Sequence, residues 1–547
     1  MNLRYASHLI GAISVVVLLA ITLPYGYAAQ SAEENDIFGG FLLNPKDGNT
    51  YLAKMYQGWE GSWKYTLPYT PQDSQGAYIF LYYLALGHLA RINHLPLIWV
   101  YHVARILGAI ILLWALSRFL RAFFHEPRQL ALAFGMAAFG SGMGWALLPY
   151  GAFTADFWVA EAYPFLSAYA NPHFPLSLGL LLWLLNPIAL PQDHATFKGS
   201  WKSFFGEWQA FFLALGVALL SPFGAVVAML VLGLAIFLSG VSRKDSWRLA
   251  KYAGRLFWAA LGSAPILIYD LVAILRDPQL RAWNAQNRTP APPFWDVLFS
   301  FSPLLILAVL GGIHLYKSRL LTVSPDKPDW RLPLVWASLA LVLLYLPLNL
   351  QRRFLLGWYV PLTVLAIPGL AWLSAGHVRR FVLLAAITLI LVLPTNLIVL
   401  ATVHQAVLSH DPEIFLSREE LQALDWLARE PSRQAVVLAS PRTGLLIPAY
   451  TGLRVVYGHP YETVDSERQM QATLDFYRGA LDNAALDDLL RRNQVEYIFY
   501  GPAEQALGKP ACLDGLQAVY HTEGVQIYAA SDLLHLLSFK PIPELVR

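Results

Sequence analysis

Asp47 is the first carboxylate placed where it could do chemistry. It lies in Asn44-Pro45-Lys46-Asp47-Gly48-Asn49-Thr50-Tyr51, a turn-rich stretch just after the first long apolar run, and so at a membrane surface. Tyr51, Leu52, Ala53, Met55 and Tyr56 then form one apolar stripe that ends at Gly58. This predicts a short helix lying along the membrane interface, with Asp47 near its N-terminus. A carboxylate there can accept a proton or hold a cation. Its plainer role is to cap the helix.

Further candidates lie in two later loops. One reads Asp156-Phe157-Trp158-Val159-Ala160-Glu161, then Asn171-Pro172-His173-Phe174. An imidazole at His173 could help to hold a phosphate, although a His after Asn-Pro at a helix start also suits a cap or an interface anchor. The other is Gln351-Arg352-Arg353, which falls on the outer side of the membrane against the usual charge bias. An anionic ligand would offset two arginines there, because Arg grips phosphate with two parallel bonds; lipid headgroups would do so as well. Arg276, Arg281 and Arg288 are weaker candidates of the same kind.

Other stretches carry less. Gly140-Ser141-Gly142-Met143-Gly144-Trp145 follows no strand and lacks a Lys-Ser/Thr ending, so it is no phosphate loop, and small residues at this spacing suit close helix packing. Tyr457-Gly458-His459-Pro460-Tyr461-Glu462 is polar and aromatic enough to touch a sugar, but with no nucleophile–base pair beside it the stretch reads as a structural turn.

The elements that must hold these residues are membrane helices. The chain has 547 residues, 56% of them hydrophobic and 14% charged, with a mean hydropathy of +0.45. Soluble domains carry about 25% charged residues. Eighteen Trp and 27 Tyr suit long membrane–water interfaces. The net charge of +3, with no basic tract, gives no sign of nucleic-acid binding. The single cysteine, Cys512, excludes an internal disulfide.

Apolar runs predict spans near 8–28, 97–117, 130–150, 173–190, 208–221, 222–240, 252–275, 295–316, 331–350, 354–375 and 381–403. The stretch 208–240 is divided at Ser221-Pro222-Phe223-Gly224, a turn signal. With the N-terminus inside, the inner loops hold Arg118, Arg121 and Arg128; Lys198 and Lys202; Arg243, Lys244, Arg248 and Lys251; Lys317, Arg319 and Lys327; and Arg379 and Arg380. Every inner loop is then basic, which supports about eleven spans and an outer C-terminus. Arg4, Leu9–Leu23 and Ala28-Ala29 also fit a secretory signal peptide.

The character changes near His410. Ser417-Arg418-Glu419-Glu420 is a capping box that opens a helix with Leu421, Leu424 and Leu427. Short β-prone runs at Ala435–Leu438, Val455–Tyr457, Tyr497–Tyr500 and Val525–Tyr528 alternate with helical patterns at Arg468–Tyr477 and Leu481–Arg492. That alternation predicts a small α/β domain with a mainly parallel sheet. No Gly-x-Gly-x-x-Gly follows a strand, so nucleotide binding is not indicated. The expected division is a transmembrane domain over 1–408, with its first outer loop at 29–96, and a soluble α/β domain over 409–547.

In order and placement, Asp47, Tyr51, Ala53, Gly61-Ser62-Trp63, Thr70-Pro71 and Tyr82-Tyr83-Leu84 resemble the first outer loop of GT-C type integral membrane glycosyltransferases, which draw sugars from polyprenyl phosphates, dolichyl-phosphate-mannose-protein mannosyltransferases among them. Gly48 departs from the pattern, standing where many of these enzymes carry a second acid. The resemblance implies an uncleaved first span, a helix over Gly76–Ala90 against the membrane, and an outer α/β tail. It also implies that Asp47 is the general base, that Asp156 or Glu161 positions the acceptor or holds a divalent cation such as Mg or Mn, and that Arg352, Arg353 and His173 bind the donor phosphate. The implied substrates are a polyprenyl-phosphate-linked sugar and a glycan, lipid or protein acceptor, at the outer face of the plasma (inner) membrane. A non-catalytic or transport protein handling lipid-linked glycans is the alternative, and Gly48 leans that way. Against it stand few mid-span charges and no correspondence between halves.

Overall fold

A computed structural model describes residues 3–189, 204–239, 246–321, 328–429, 432 and 434–539. Lys198, Lys202, Arg243, Lys244 and Lys327 of the inner-loop pattern lie outside the described residues. The chain divides into two compact units. The first comprises Met1–Gly26, His102–Tyr269 and Thr289–Gln405; the second comprises Tyr27–Tyr101, Asp270–Arg288 and Ala406–Arg547.

Apolar helices occupy every predicted span position. Among the described residues five are long and apolar enough to cross a membrane: Arg4–Gln30, Leu97–Phe123, Pro127–Tyr150, Leu249–Arg276 and Val378–Leu408. Phe294–Phe301 and Leu304–Lys317 would add a sixth if counted as one span, though they bend by 81°. His173–Asn186, Gln209–Leu220, Pro222–Leu238, Arg331–Tyr345 and Tyr359–Leu373 are shorter than the ~20 residues that cross the hydrocarbon core unaided. Tyr359–Leu373 shows why a short apolar helix suits this fold: most of its residues are buried in protein. The expected break falls at Ser221, whose Oγ accepts the Gly224 N–H at 3.2 Å and starts the next helix.

The second unit unites the first outer loop with the tail, which differs from a boundary at residue 408. Strand β1 (Asp36–Phe38) pairs antiparallel with β2 (Phe415–Ser417), placing Asp36 opposite Ser417 and Phe38 opposite Phe415. One hydrophobic core contains Leu52, Met55 and Tyr83 from the loop and Leu424, Val437 and Ile447 from the tail. Neither segment covers that apolar surface by itself.

The tail sheet has the order β4-β3-β5-β7-β6. Its strands are β3 (Val436–Leu438), β4 (Arg454–Val455), β5 (Val495–Tyr500), β6 (Ala518–His521) and β7 (Gln526–Ala529). Pairs β3–β4 and β3–β5 are parallel, whereas β5–β7 and β6–β7 are antiparallel. The sheet is therefore mixed, not mainly parallel, because β6 and β7 close a hairpin in which Thr522 N–H donates to the Val525 carbonyl. The capping box forms as read: Glu420 N–H donates to Ser417 Oγ at 3.1 Å, and Ser417 N–H to Glu420 Oε2 at 2.9 Å.

Candidate active site

Asp47 sits in the first turn of the helix Pro45–Trp59. Asn44, not Asp47, caps that helix. Its backbone is left-handed, with φ 51 and ψ 64, and its Oδ1 accepts the Asp47 N–H at 3.4 Å. Asn44 Nδ2 in turn donates to Asp47 Oδ2 at 2.6 Å. Pro45 follows the cap, where its missing N–H costs nothing. The Asp47 carboxylate is thus held along one edge while 40% of its side chain remains exposed.

The helix is largely covered by protein. It packs against the helices Leu81–Ile92 and Pro441–Thr451, and it buries Asn49, Thr50 and Lys54 as well as Leu52, Ala53, Met55 and Tyr56 of the apolar stripe. Close approach to the first of these depends on glycines: a Cβ on Gly58 would sit 2.1 Å from the Leu84 carbonyl oxygen, and one on Gly87 would sit 2.0 Å from that of Met55. Gly48 has its own steric reason. A Cβ there would come 2.4 Å from the Phe41 ring, so a second acid has no room beside Asp47.

The tail turn Tyr457–Glu462 meets the same helix twice. His459 is buried, and its Nε2 lies 3.6 Å from Asp47 Oδ1. Its Nδ1 accepts the Tyr461 N–H at 3.2 Å, and Thr463 Oγ1 accepts the Gly458 and His459 N–H groups, each at 3.2 Å. Three residues on, Glu462 Oε1 pairs with Lys54 Nζ at 2.8 Å, and Tyr65 Oη donates to Glu462 Oε2 at 3.3 Å. The Lys54 ammonium also lies over the rings of Phe80, Tyr51 and Tyr65, at 4.6, 5.2 and 5.2 Å. Burial, reinforced by the Glu462 charge, raises the Tyr65 and Tyr69 hydroxyls well above the usual phenol range, so both stay neutral donors. The sequence held one sign of this arrangement. Asp47 and Lys54 are seven residues apart, which puts opposite charges on one helix face.

The first unit holds the other candidates. Asp156 is fully buried, and both its oxygens are occupied. Thr154 Oγ1 donates to Oδ1 at 2.7 Å, Gly144 N–H and Thr395 Oγ1 donate to Oδ2 at 3.0 and 2.8 Å, and Ser300 Oγ, which donates to Asp296 at 2.6 Å, accepts the Asp156 N–H at 3.3 Å. Burial raises its pKa, and the bonds from Thr154, Thr395 and Gly144 pull it back. A Cβ on Gly144 would lie 2.1 Å from Asp156 Oδ1, so this glycine brings an N–H to a carboxylate instead of opening a helix crossing. Protein donors thus reach both carboxylate oxygens of Asp156, the acid expected to position the acceptor or hold a cation.

Glu161 joins the two arginines. Its Oε1 is 3.4 Å from Arg352 Nε and 3.8 Å from an Arg353 amine nitrogen. These are ion-pair distances without hydrogen-bond alignment, since Glu161 Oε1 and Arg352 Nε are both buried without a hydrogen-bond partner. The Arg352 guanidinium stacks on Trp158 at 4.7 Å, and its backbone N–H donates to the Thr289 carbonyl. Glu161, expected to act toward acceptor or cation, thus lies at ion-pair distance from both arginines. His173 opens the helix His173–Ala189, buried against the ring of Phe174 at 4.1 Å. Arg276, Arg281 and Arg288 belong to the second unit. Among the described residues no three His, Cys, Asp or Glu side chains gather to hold a metal ion.

The chain matches no protein-family model and no curated protein sequence. It does match solved structures of the Archaeoglobus fulgidus oligosaccharyltransferase. The apo form aligns over 92% of this chain and 71% of that one, at 11% identity and a TM-score of 0.55. A complex of the same protein with an inhibitory peptide and a dolichol-phosphate aligns over 90% and 69%, at 13% identity and a TM-score of 0.54. ArnT from Cupriavidus metallidurans aligns over 95% and 98%, at 16% identity and a TM-score of 0.48. The chain has the fold of the GT-C type of membrane glycosyltransferase.

Proposed function

We propose that this protein is a membrane glycosyltransferase that moves a sugar from a polyprenyl-phosphate carrier to an acceptor hydroxyl, on a glycan, lipid or protein, at the outer membrane face. The observation that carries the reading is Asp47: a half-exposed carboxylate fixed by its own helix cap at the start of a buried helix. The fold supports it, and a protein of that fold binds dolichol-phosphate. The basic loops at Arg118, Arg121 and Arg128 and at Arg379 and Arg380 support the outer orientation.

Asp47 takes the proton of the acceptor hydroxyl, and that oxygen bonds to the anomeric carbon. The bond from that carbon to the phosphate oxygen breaks, its electrons leave with the polyprenyl phosphate, and Asp47 returns the proton to water. Arg352 and Arg353 hold the phosphate and stabilise the charge it gains. His173 assists from its helix start.

An Archaeoglobus fulgidus neighbour is described in complex with Zn and sulfate. The positions expected to hold a cation fit it poorly: Phe41 fills the space of a second acid at Gly48, Asp156 accepts protein donors on both oxygens, and Glu161 faces the arginines. The chemistry is therefore assigned to the chain's own residues.

The test is sugar transfer by purified Asp47→Asn with a polyprenyl-phosphate donor. Asn keeps the size and removes the base, so the rate falls by a factor of about 100 to 10,000. Arg352→Lys and Arg353→Lys keep the charge, lose the two-pronged grip and weaken donor binding. Full activity in Asp47→Asn would end the catalytic assignment.

A further inference from the structure

We infer that His459 of the tail is a positioning residue for Asp47, holding the carboxylate from the side opposite Asn44. This rests on the reading of Asp47 as the acceptor base. The Tyr461 N–H points at His459 Nδ1, which must therefore be the acceptor nitrogen. By that hydrogen bond the neutral ring is assigned its proton on Nε2, the nitrogen that faces Asp47 Oδ1 at 3.6 Å. Asn44 Nδ2 reaches the other oxygen, Oδ2, at 2.6 Å. Asn44 thus holds one oxygen of the carboxylate and the His459 N–H stands beside the other, an arrangement that presents its exposed part to an incoming hydroxyl. The distance to His459 is longer than a full hydrogen bond, as catalytic contacts often are before substrate binds.

Two independent anchors set that distance. Thr463 Oγ1 ties down the Gly458 and His459 N–H groups, which restrains the backbone that carries the imidazole. The Glu462–Lys54 pair fastens the same turn to the same helix face, two helical turns beyond Asp47. A turn needed only to close the tail fold requires neither a buried imidazole nor its proton on the nitrogen facing the acid.

Two substitutions separate positioning from a purely structural turn, because each keeps one of the ring's two contacts. His459→Asn places an oxygen where Nδ1 stood, keeps the Tyr461 N–H bonded and reaches nothing at Asp47. His459→Gln places an N–H near Nε2 and leaves the Tyr461 N–H without its acceptor. Transfer from a polyprenyl-phosphate donor is measured for both as kcat and donor KM. Positioning predicts that His459→Asn lowers kcat by about 10- to 100-fold with donor KM within about twofold, and that His459→Gln loses less. It also predicts that adding His459→Asn to Asp47→Asn slows transfer no further. A wild-type kcat in His459→Asn, an equal or greater loss in His459→Gln, or additive effects in the double variant would overturn the role. Full activity in Asp47→Asn defeats the base itself; an impaired Asp47→Asn beside a fully active His459→Asn defeats the positioning role alone.

Discussion

Lys54 Nζ lies 2.8 Å from Glu462 Oε1, with 1% of the lysine side chain and 12% of the glutamate side chain exposed. The pair joins two segments 408 residues apart in sequence. An ammonium so deeply buried is tolerable only because a carboxylate and three aromatic rings surround it.

Removing one partner therefore costs more than removing both. Glu462→Gln leaves the Lys54 charge uncompensated and is expected to destabilise the protein by about 3–5 kcal/mol. Lys54→Met with Glu462→Leu fills the space without charge and recovers most of that loss. Thermal or denaturant unfolding of the purified protein in detergent checks the order. A single variant as stable as the double one contradicts it.

Glu161 sets a second expectation. It is the protein's own offset for two arginines on a loop read as external, and it occupies the charge that a donor phosphate would use. Glu161→Gln removes the competitor, so donor KM should fall. Glu161 is 6% exposed and the arginine side chains 21% and 32%, so the loss of stability should fall between the ~1 kcal/mol of a solvent-screened pair and the ~3–5 kcal/mol of a buried one. The measurement is donor KM against melting temperature in the one variant. A raised KM would mean that Glu161 helps to shape the phosphate site instead of competing with it.

The legible parts of this chain were the local ones. Apolar runs marked the helices, Ser221-Pro222 marked a break, and the Ser417–Glu420 box marked a cap, because each depends on neighbours in sequence. Asp156 and Glu161 were found as acids, but their partners were not. Thr395 and Ser300 reach Asp156 from 239 and 144 residues away, and no local spacing records that. Gly48 stands where a second acid would, and its neighbour Phe41 makes it a packing requirement. The strand β6 leaves a weak mark in the sequence because Ala518–His521 is short and none of its residues is fully buried.

The tail itself carries the last expectation. Composition placed an independent domain over 409–547, but its core is completed by the first outer loop. Leu52, Met55, Tyr69 and Tyr83 pack with Leu424, Val437, Leu445 and Ile447, and β1 pairs with β2. A fragment starting at Ser409 would expose that apolar face and lose the Lys54 and Asp47 partners of Glu462 and His459. Burial of apolar surface is worth about 25 cal/mol per Å², so leaving several large side chains without cover consumes most of a small domain's margin. The fragment 409–547 alone should therefore bind a dye for exposed hydrophobic surface and melt without cooperativity. Joining residues 27–101 to it through a flexible linker should restore a cooperative transition. If 409–547 melts cooperatively by itself, with no gain on adding 27–101, the loop is a passenger on the tail and not part of its core.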